Sequence, residues 1–268
     1  MQSLFRSCSS VCLAAAVFFS NSLAQAQVSI APLVIELEAE RGRAQGAITI
    51  NNNTDQTLRF RVSPEFFTYG DLGFESIDPT PADLTPYLQF SPRELTVAPN
   101  VTRRIRLVTL FPPSLPEGEY RAVVFTERLA EVTDGSGNRT TINTRIGSTI
   151  YVRQGDLAPA LEIAAASWNE AQQQLQVLVN NTGGASARAK VNWTLQQDGT
   201  VMATGVLPET GIIAHSQRQF LLPSPPDTPL AAGNYQLFGE LEWKEGDESK
   251  NQAFAVNLVL PELNPVEN

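Results

Sequence analysis

"APNVTRRIRL" at Ala98–Leu107 and "LPEGEY" at Leu115–Tyr120 return in the same order, 115 residues further on, as "IAHSQRQFLL" at Ile213–Leu222 and "LAAGNY" at Leu230–Tyr235. Arg103 falls over Arg218, and Ile105 over Phe220. Upstream, "ITINNNT" (Ile48–Thr54) resembles "VLVNNTG" (Val177–Gly183) at a spacing of 129. Matches in one linear series mean two similar domains. The change in spacing places roughly a dozen extra residues in the first copy, within the Pro-, Asp- and Thr-rich stretch 67–89. In both copies a glycine (Gly118, Gly233) is followed two residues later by a tyrosine (Tyr120, Tyr235) at the start of a strand pattern. Such a tyrosine can tuck its ring against the core edge and bond its hydroxyl to backbone, as the tyrosine corner of a sandwich does.

Strand patterns surround these anchors. Leu58, Phe60 and Val62 alternate with Arg59 and Arg61. Leu175, Val177 and Val179 alternate with Gln174 and Gln176, and Val191, Trp193 and Leu195 continue the theme. Period-two alternation with one apolar face predicts antiparallel, half-buried sheet. "NNNTD", "DGSGN", "NTGG" and "SPPD" supply turns between the runs. A short turn near 80–87 is the single helix candidate, and its prolines keep it short. The expected fold class is therefore all-β: two tandem immunoglobulin-like β-sandwich domains, at 27–155 and 156–260, ahead of a short acidic tail at 261–268.

The 268 residues are 42% apolar and 18% charged, which excludes a disordered or collagen-like chain. A net charge of −9 argues against nucleic acid and against anionic lipid. Residues 1–26 read as a cleaved signal peptide: Arg6, an apolar run from Val11 to Phe19, then Ala24-Gln25-Ala26, with cleavage after Ala26. The run is too short for a bilayer-spanning anchor. Both cysteines, Cys8 and Cys12, lie in that segment, so the mature chain offers no disulfide, thiolate or cysteine-ligated metal.

Catalytic patterns are missing. The one histidine, His215, sits in a polar turn, and no G-x-S-x-G occurs. Glu36 with Glu38, and Glu240 with Glu242, share strand faces, which reads first as a solvated acidic surface. No enzyme activity, metal or cofactor is expected, and binding by surface and strand edge is the default.

The first half resembles the periplasmic pilus (fimbrial) assembly chaperones of PapD type. The residues that carry the resemblance are "VSIAP" (Val28–Pro32), "AITINNNTDQTLRFRV" (Ala47–Val62), "LPEGEYRAVVF" (Leu115–Phe125) and, most specifically, "FSPRELTVAPNVTRRIRLV" (Phe90–Val108). It covers about 120 residues. The resemblance implies a two-domain protein whose front domain lends its last strand, as an edge, to a pilus subunit that lacks its own final strand. The matching stretch is "NRTTINTRIGSTIYVR", Asn138–Arg153. Ile142, Thr144 and Ile146 share one face and are the candidate donor residues, while Ile150 and Val152 are expected to fill the domain's own core. The family holds the subunit's terminal carboxylate with an arginine on the first strand and a lysine on the last. Val34 and Thr149 take those positions here, and Arg145 is the substitute the sequence offers.

The leading expectation is a soluble periplasmic chaperone-like protein that binds an exported pilus or surface subunit without ATP. An outer-membrane usher is a further partner, and the protein itself does not insert into membrane. The alternative is a secreted structural or adhesive sandwich module that binds a cell-surface component. A hydrolase built on His215 is a third reading.

Overall fold

A computed structural model describes residues 28–70, 73–133, 139–169, 172, 174–223 and 230–261. For residues 130–133 and 139–143 that description is of backbone pairing. The expected signal segment, with its expected cleavage site and both cysteines, falls outside the described residues, as does the tail beyond Pro261. Among the described residues no helix is long and apolar enough to cross a membrane.

The architecture is all-β. The front half contributes β1 (Val28–Ala31), β2 (Val34–Glu38), β3 (Arg43–Asn52), β4 (Leu58–Glu65), β5 (Thr68–Gly70), β6 (Gly73–Glu75), β7 (Leu88–Ser91), β8 (Glu94–Val97), β9 (Thr102–Leu110), β10 (Gly118–Thr133) and β11 (Arg139–Gln154). They form one sheet in the order β1-β3-β9-β7 and a second in the order β2-β11-β10-β4-β8, while β5 and β6 pair as a separate hairpin. The back half contributes β12 (Leu161–Asn169), β13 (Gln174–Asn181), β14 (Ala187–Gln197), β15 (Thr200–Ile212), β16 (Ser216–Leu221), β17 (Gly233–Glu245) and β18 (Glu248–Leu260). Its sheets run β12-β13-β16 and β15-β14-β17-β18. The expected helical turn is one 3₁₀ turn, Thr85–Tyr87.

Each half has its own core. Ile48, Ile50, Phe60, Ile105, Leu107, Ile150 and Val152 fill the front one. Val177, Val179, Val191, Leu195, Ile212 and Leu237 fill the back one. The alternation seen in sequence is the alternation buried: β13 alternates between half-buried and buried throughout, because inward residues of both sheets must interdigitate while outward ones stay wet.

Two edge segments of the front sandwich change sheets. β1 pairs antiparallel with β3, and after Pro32 the chain pairs parallel with β11 as β2. β7 pairs with β9, and after Pro92 the chain pairs with β4 as β8. Both Ala31–Pro32 and Ser91–Pro92 are cis. A proline has no N–H to give a ladder, so it suits the point where one ladder is left for another. The extra residues of the front copy lie where the change in repeat spacing puts them: within 67–89 the chain forms the β5–β6 hairpin and the 3₁₀ turn.

Candidate functional site: a half-paired strand at the front sandwich

β10 and β11 form a long antiparallel hairpin, paired without interruption from Gly118 with Gln154 to Thr133 with Arg139. The other side of β11 is treated differently along its length. Thr149–Arg153 pair in parallel with Val34–Glu38. The clasp closes at Thr149, whose N–H donates to the Leu33 carbonyl (2.9 Å), and the Ser148 hydroxyl donates to the Pro32 carbonyl (2.9 Å). Beyond it, among the described residues, no strand flanks the outer side of Arg139–Ser148. About half of β11 is thus a sheet margin with its outward backbone groups unmatched.

The two faces of that margin differ. Thr144, Ile146, Ile150 and Val152 lie on the inward face. Ile150 and Val152 are buried in the front core, Ile146 packs on its rim, and Thr144 is exposed. Ile142 pairs with Ala130 in the hairpin; its side chain lies outside the described set. Beside Thr144 and Ile146 the space between the two sheets opens into a notch of about 160 Å³, completed by Val28 and Ile30 of β1, Phe60 of β4, and Thr126 and Arg128 of β10.

On the outward face, Arg145 is engaged twice. Its guanidinium lies 3.8 Å from the centre of the Phe125 ring and pairs with Glu65. Val34 and Thr149 are direct partners across the parallel ladder, and neither supplies a cation.

The same outward face meets the back half. Phe67, Val123, Tyr151 and Ile213 form a small buried cluster with Val34, Tyr69 and Phe125 around it. Arg218 lies over the Tyr69 ring at 4.4 Å and donates to the Gly211 carbonyl at 2.6 Å. Burial lowers the Arg218 pKa and, above all, raises that of the Tyr151 phenol. Next to this cluster, the Glu119 carboxylate accepts from Arg153 Nε (3.2 Å) and from the Ser186 N–H (2.8 Å), and Arg153 also donates to the Ser186 carbonyl (2.9 Å). A polar cleft of about 570 Å³ opens alongside, lined by Glu36 and Glu38 from the front half and by Arg188, Glu209 and Lys244 from the back. Glu36 contacts Arg153 at 3.4 Å, and Arg188 faces Glu209 at 3.8 Å.

The repeated anchors occupy matching places. Tyr120 donates to the Pro116 carbonyl (2.8 Å) and Tyr235 to the Ala231 carbonyl (2.9 Å), four residues back in each case. Gly233 has φ +149°, a region that needs glycine, whereas Gly118 does not share it. His215 is exposed, at φ +54° in a turn. Among the described residues no group of three or more His, Cys, Asp or Glu side chains could hold a metal ion. Sequence reasoning passed over Thr126 and Arg128. They follow Tyr120, Ala122 and Val124 at period two, and that alternation was the signal for their inward placement.

No protein-family model matches the sequence, and no curated protein matches it. Solved structures do. The class 5 fimbriae chaperone CfaA aligns at TM-score 0.52 with 12% identity, covering 85% of this chain and 98% of that one. The YadV chaperone aligns at TM-score 0.51, also with 12% identity, covering 86% and 100%. At such identity the likeness is one of fold: this chain has the two-sandwich, all-β architecture of the fimbrial assembly chaperones.

Proposed function

We propose that the protein is an ATP-independent periplasmic chaperone that holds an exported pilus or surface subunit by adding the margin Arg139–Ser148 to the subunit's unfinished sheet. The observation that carries this reading is the one-sided pairing of β11 beside an open end of the sandwich. Strand addition satisfies two needs at once: main-chain hydrogen bonds pair the margin, and alternate side chains enter the client's groove. The fully clasped residues Thr149–Arg153 fix the strand so that the margin is presented already extended, which lowers the ordering cost of capture. On this reading the front sandwich (27–155) holds the client and the back sandwich (156–260) braces it. The client is the partner on this reading, with an outer-membrane usher taking the pair onward.

Ile146→Asp tests it. Ile146 is on the rim of the core rather than in it, so the variant keeps its fold while placing a charge where an apolar donor is needed. Mature wild-type protein added to its native envelope extract is expected to retain a subunit that slows amide exchange across Arg139–Ser148. Ile146→Asp is expected to lose both the subunit and the protection. Equal retention by the two proteins would refute strand donation.

A further inference from the structure

The inward face of β10 is apolar through Tyr120, Ala122 and Val124, all in the front core. It then changes character. Thr126 is 1% exposed, yet among the described residues its hydroxyl has no hydrogen-bond partner. Arg128, the next inward residue, has its Nε buried and unpartnered, and it makes no ion pair among the described residues. Both line the notch next to the free margin. Cross-strand register sets them in rows. Val62, Thr126 and Ile146 stand side by side on three strands, as do Phe60, Arg128 and Thr144. Each row ends at the margin, so each continues onto whatever strand pairs there.

An inward arginine is tolerable while water reaches it through the open notch. A strand added to the margin closes that opening. Burying an unpaired guanidinium costs more than the surrounding apolar contacts return. A carboxylate on the incoming strand removes the penalty, because its two oxygens can accept two parallel N–H donors from arginine and still offer a free lone pair to the threonine hydroxyl. The reach is adequate. Neighbouring strands lie about 4.8 Å apart, so the incoming residue in the Thr144 row is roughly 9.6 Å from Arg128, and residues opposite one another point to the same face. The two side chains together span that gap.

We infer that Thr126 and Arg128 form a carboxylate-binding subsite that selects clients carrying an inward-facing carboxylate where their edge meets Thr144. This rests on the strand-addition reading and adds a specificity rule to it. The carboxylate can come from an Asp or Glu side chain within the strand or from the terminus of a chain.

The probes are short synthetic strands of alternating valine and serine, amide-capped, in which one valine is replaced by glutamate, by glutamine or by leucine. A further glutamine strand carries a free terminal carboxylate. Binding is measured to the mature protein, to Arg128→Met and to Ile146→Asp, with Arg104→Met as a control on the far sheet. The glutamate strand is expected to bind about tenfold more tightly than its glutamine counterpart. Arg128→Met should abolish that preference and Arg104→Met should keep it. A preference for the free terminus instead assigns the subsite to chain ends. The glutamate-to-glutamine comparison on the wild-type protein needs no variant, so it stands even if Arg128→Met folds poorly. If all strands bind equally and all are lost with Ile146→Asp, the margin works and the carboxylate subsite is refuted. If none binds and amide exchange at Arg139–Ser148 is unchanged, strand addition itself fails and the subsite falls with it.

Discussion

Asn52 and Asn181 do the same task in the two halves. The Asn52 amide, fully buried, donates to the carbonyls of Gln56 (2.7 Å), Val97 (3.0 Å) and Ala98 (3.1 Å), while its oxygen accepts from the Thr54 N–H (3.0 Å). Asn181 donates to Ala185 (2.8 Å), Ile213 (3.2 Å) and Ile212 (3.3 Å), and its oxygen accepts from the N–H groups of Gly183 and Ala160, both at 3.1 Å. Each side chain ties its own turn to a strand end tens of residues away. Truncation leaves several buried backbone groups without partners, at about 1–3 kcal/mol for each unsatisfied group that water cannot reach. Asn52→Ala and Asn181→Ala are each expected to lower the unfolding free energy by about 2–3 kcal/mol, read from urea titration. Unchanged midpoints would show that water replaces the amide. The sequence revealed these asparagines only as turn residues, since a turn is the local half of what they do. The far carbonyls become neighbours only once the sandwich closes. The tyrosines were legible because their acceptors lie four residues away, inside the motif.

At the scale of elements, the β10–β11 hairpin was half legible. Period-two alternation gave the shared face of Thr144, Ile146, Ile150 and Val152, since alternation is a local property of one strand. Which stretch of the strand is left unpaired depends on where β2 begins against it, at Val34 opposite Thr149, and that contact spans more than a hundred residues. Arg128 went unread for a related reason: polar residues at core-facing positions look like the end of a buried run until the neighbouring strands are known. Gly147 shows the same dependence. An isolated glycine weakens a strand, but here its missing side chain makes room for others. A Cβ at Gly147 would sit 2.8 Å from Val123 Cγ2 and 3.2 Å from Phe125 Cε1. Replacing glycine by alanine returns about 0.5–1 kcal/mol of backbone entropy, against about 1–3 kcal/mol for overpacking. The overpacking wins: Gly147→Ala is expected to destabilise the front sandwich by about 1 kcal/mol, and Gly147→Val by more. Differential scanning calorimetry checks the order, and a stabilised alanine variant would contradict it.

At the scale of the molecule, the two halves meet through side chains whose contact the repeat did not reveal, although Ile213 and Arg218 stand within it. Phe67 comes from the extra residues of the front copy, Val123 and Tyr151 from the outward face of the hairpin, and Ile213 from the back half. A single-strand reading assigns outward positions to solvent, yet Val123 of β10 and Tyr151 of β11 are buried on the outward face, covered by Phe67 from the front half and Ile213 from the back. The chemistry of that seam makes a pH signature. Burial first, and the neighbouring Tyr69 second, hold the Tyr151 phenol well above its ordinary value of 10.0. The folded protein therefore binds this proton more tightly than the unfolded chain does. The stability this contributes is whole below pH about 10 and is lost as the pH climbs toward the folded value, where folding must either keep the proton or bury a phenolate. Tyr151→Phe removes the titrating group and keeps the ring. Its edge-on contact with Phe67, at 5.7 Å between ring centres, survives the change. The expected result is a urea midpoint for the wild type that falls more steeply than that of Tyr151→Phe between pH about 9.5 and 11, with the two curves parallel at lower pH. Because Tyr151 is two residues from the clasped end of the margin and touches both halves, the same loss should loosen the presentation of β11. Faster amide exchange at Thr149–Arg153 in the alkaline wild type, absent from Tyr151→Phe, would tie the brace between the sandwiches to the strand it steadies. Parallel midpoints throughout the range would place the phenol in water and remove the seam from that role.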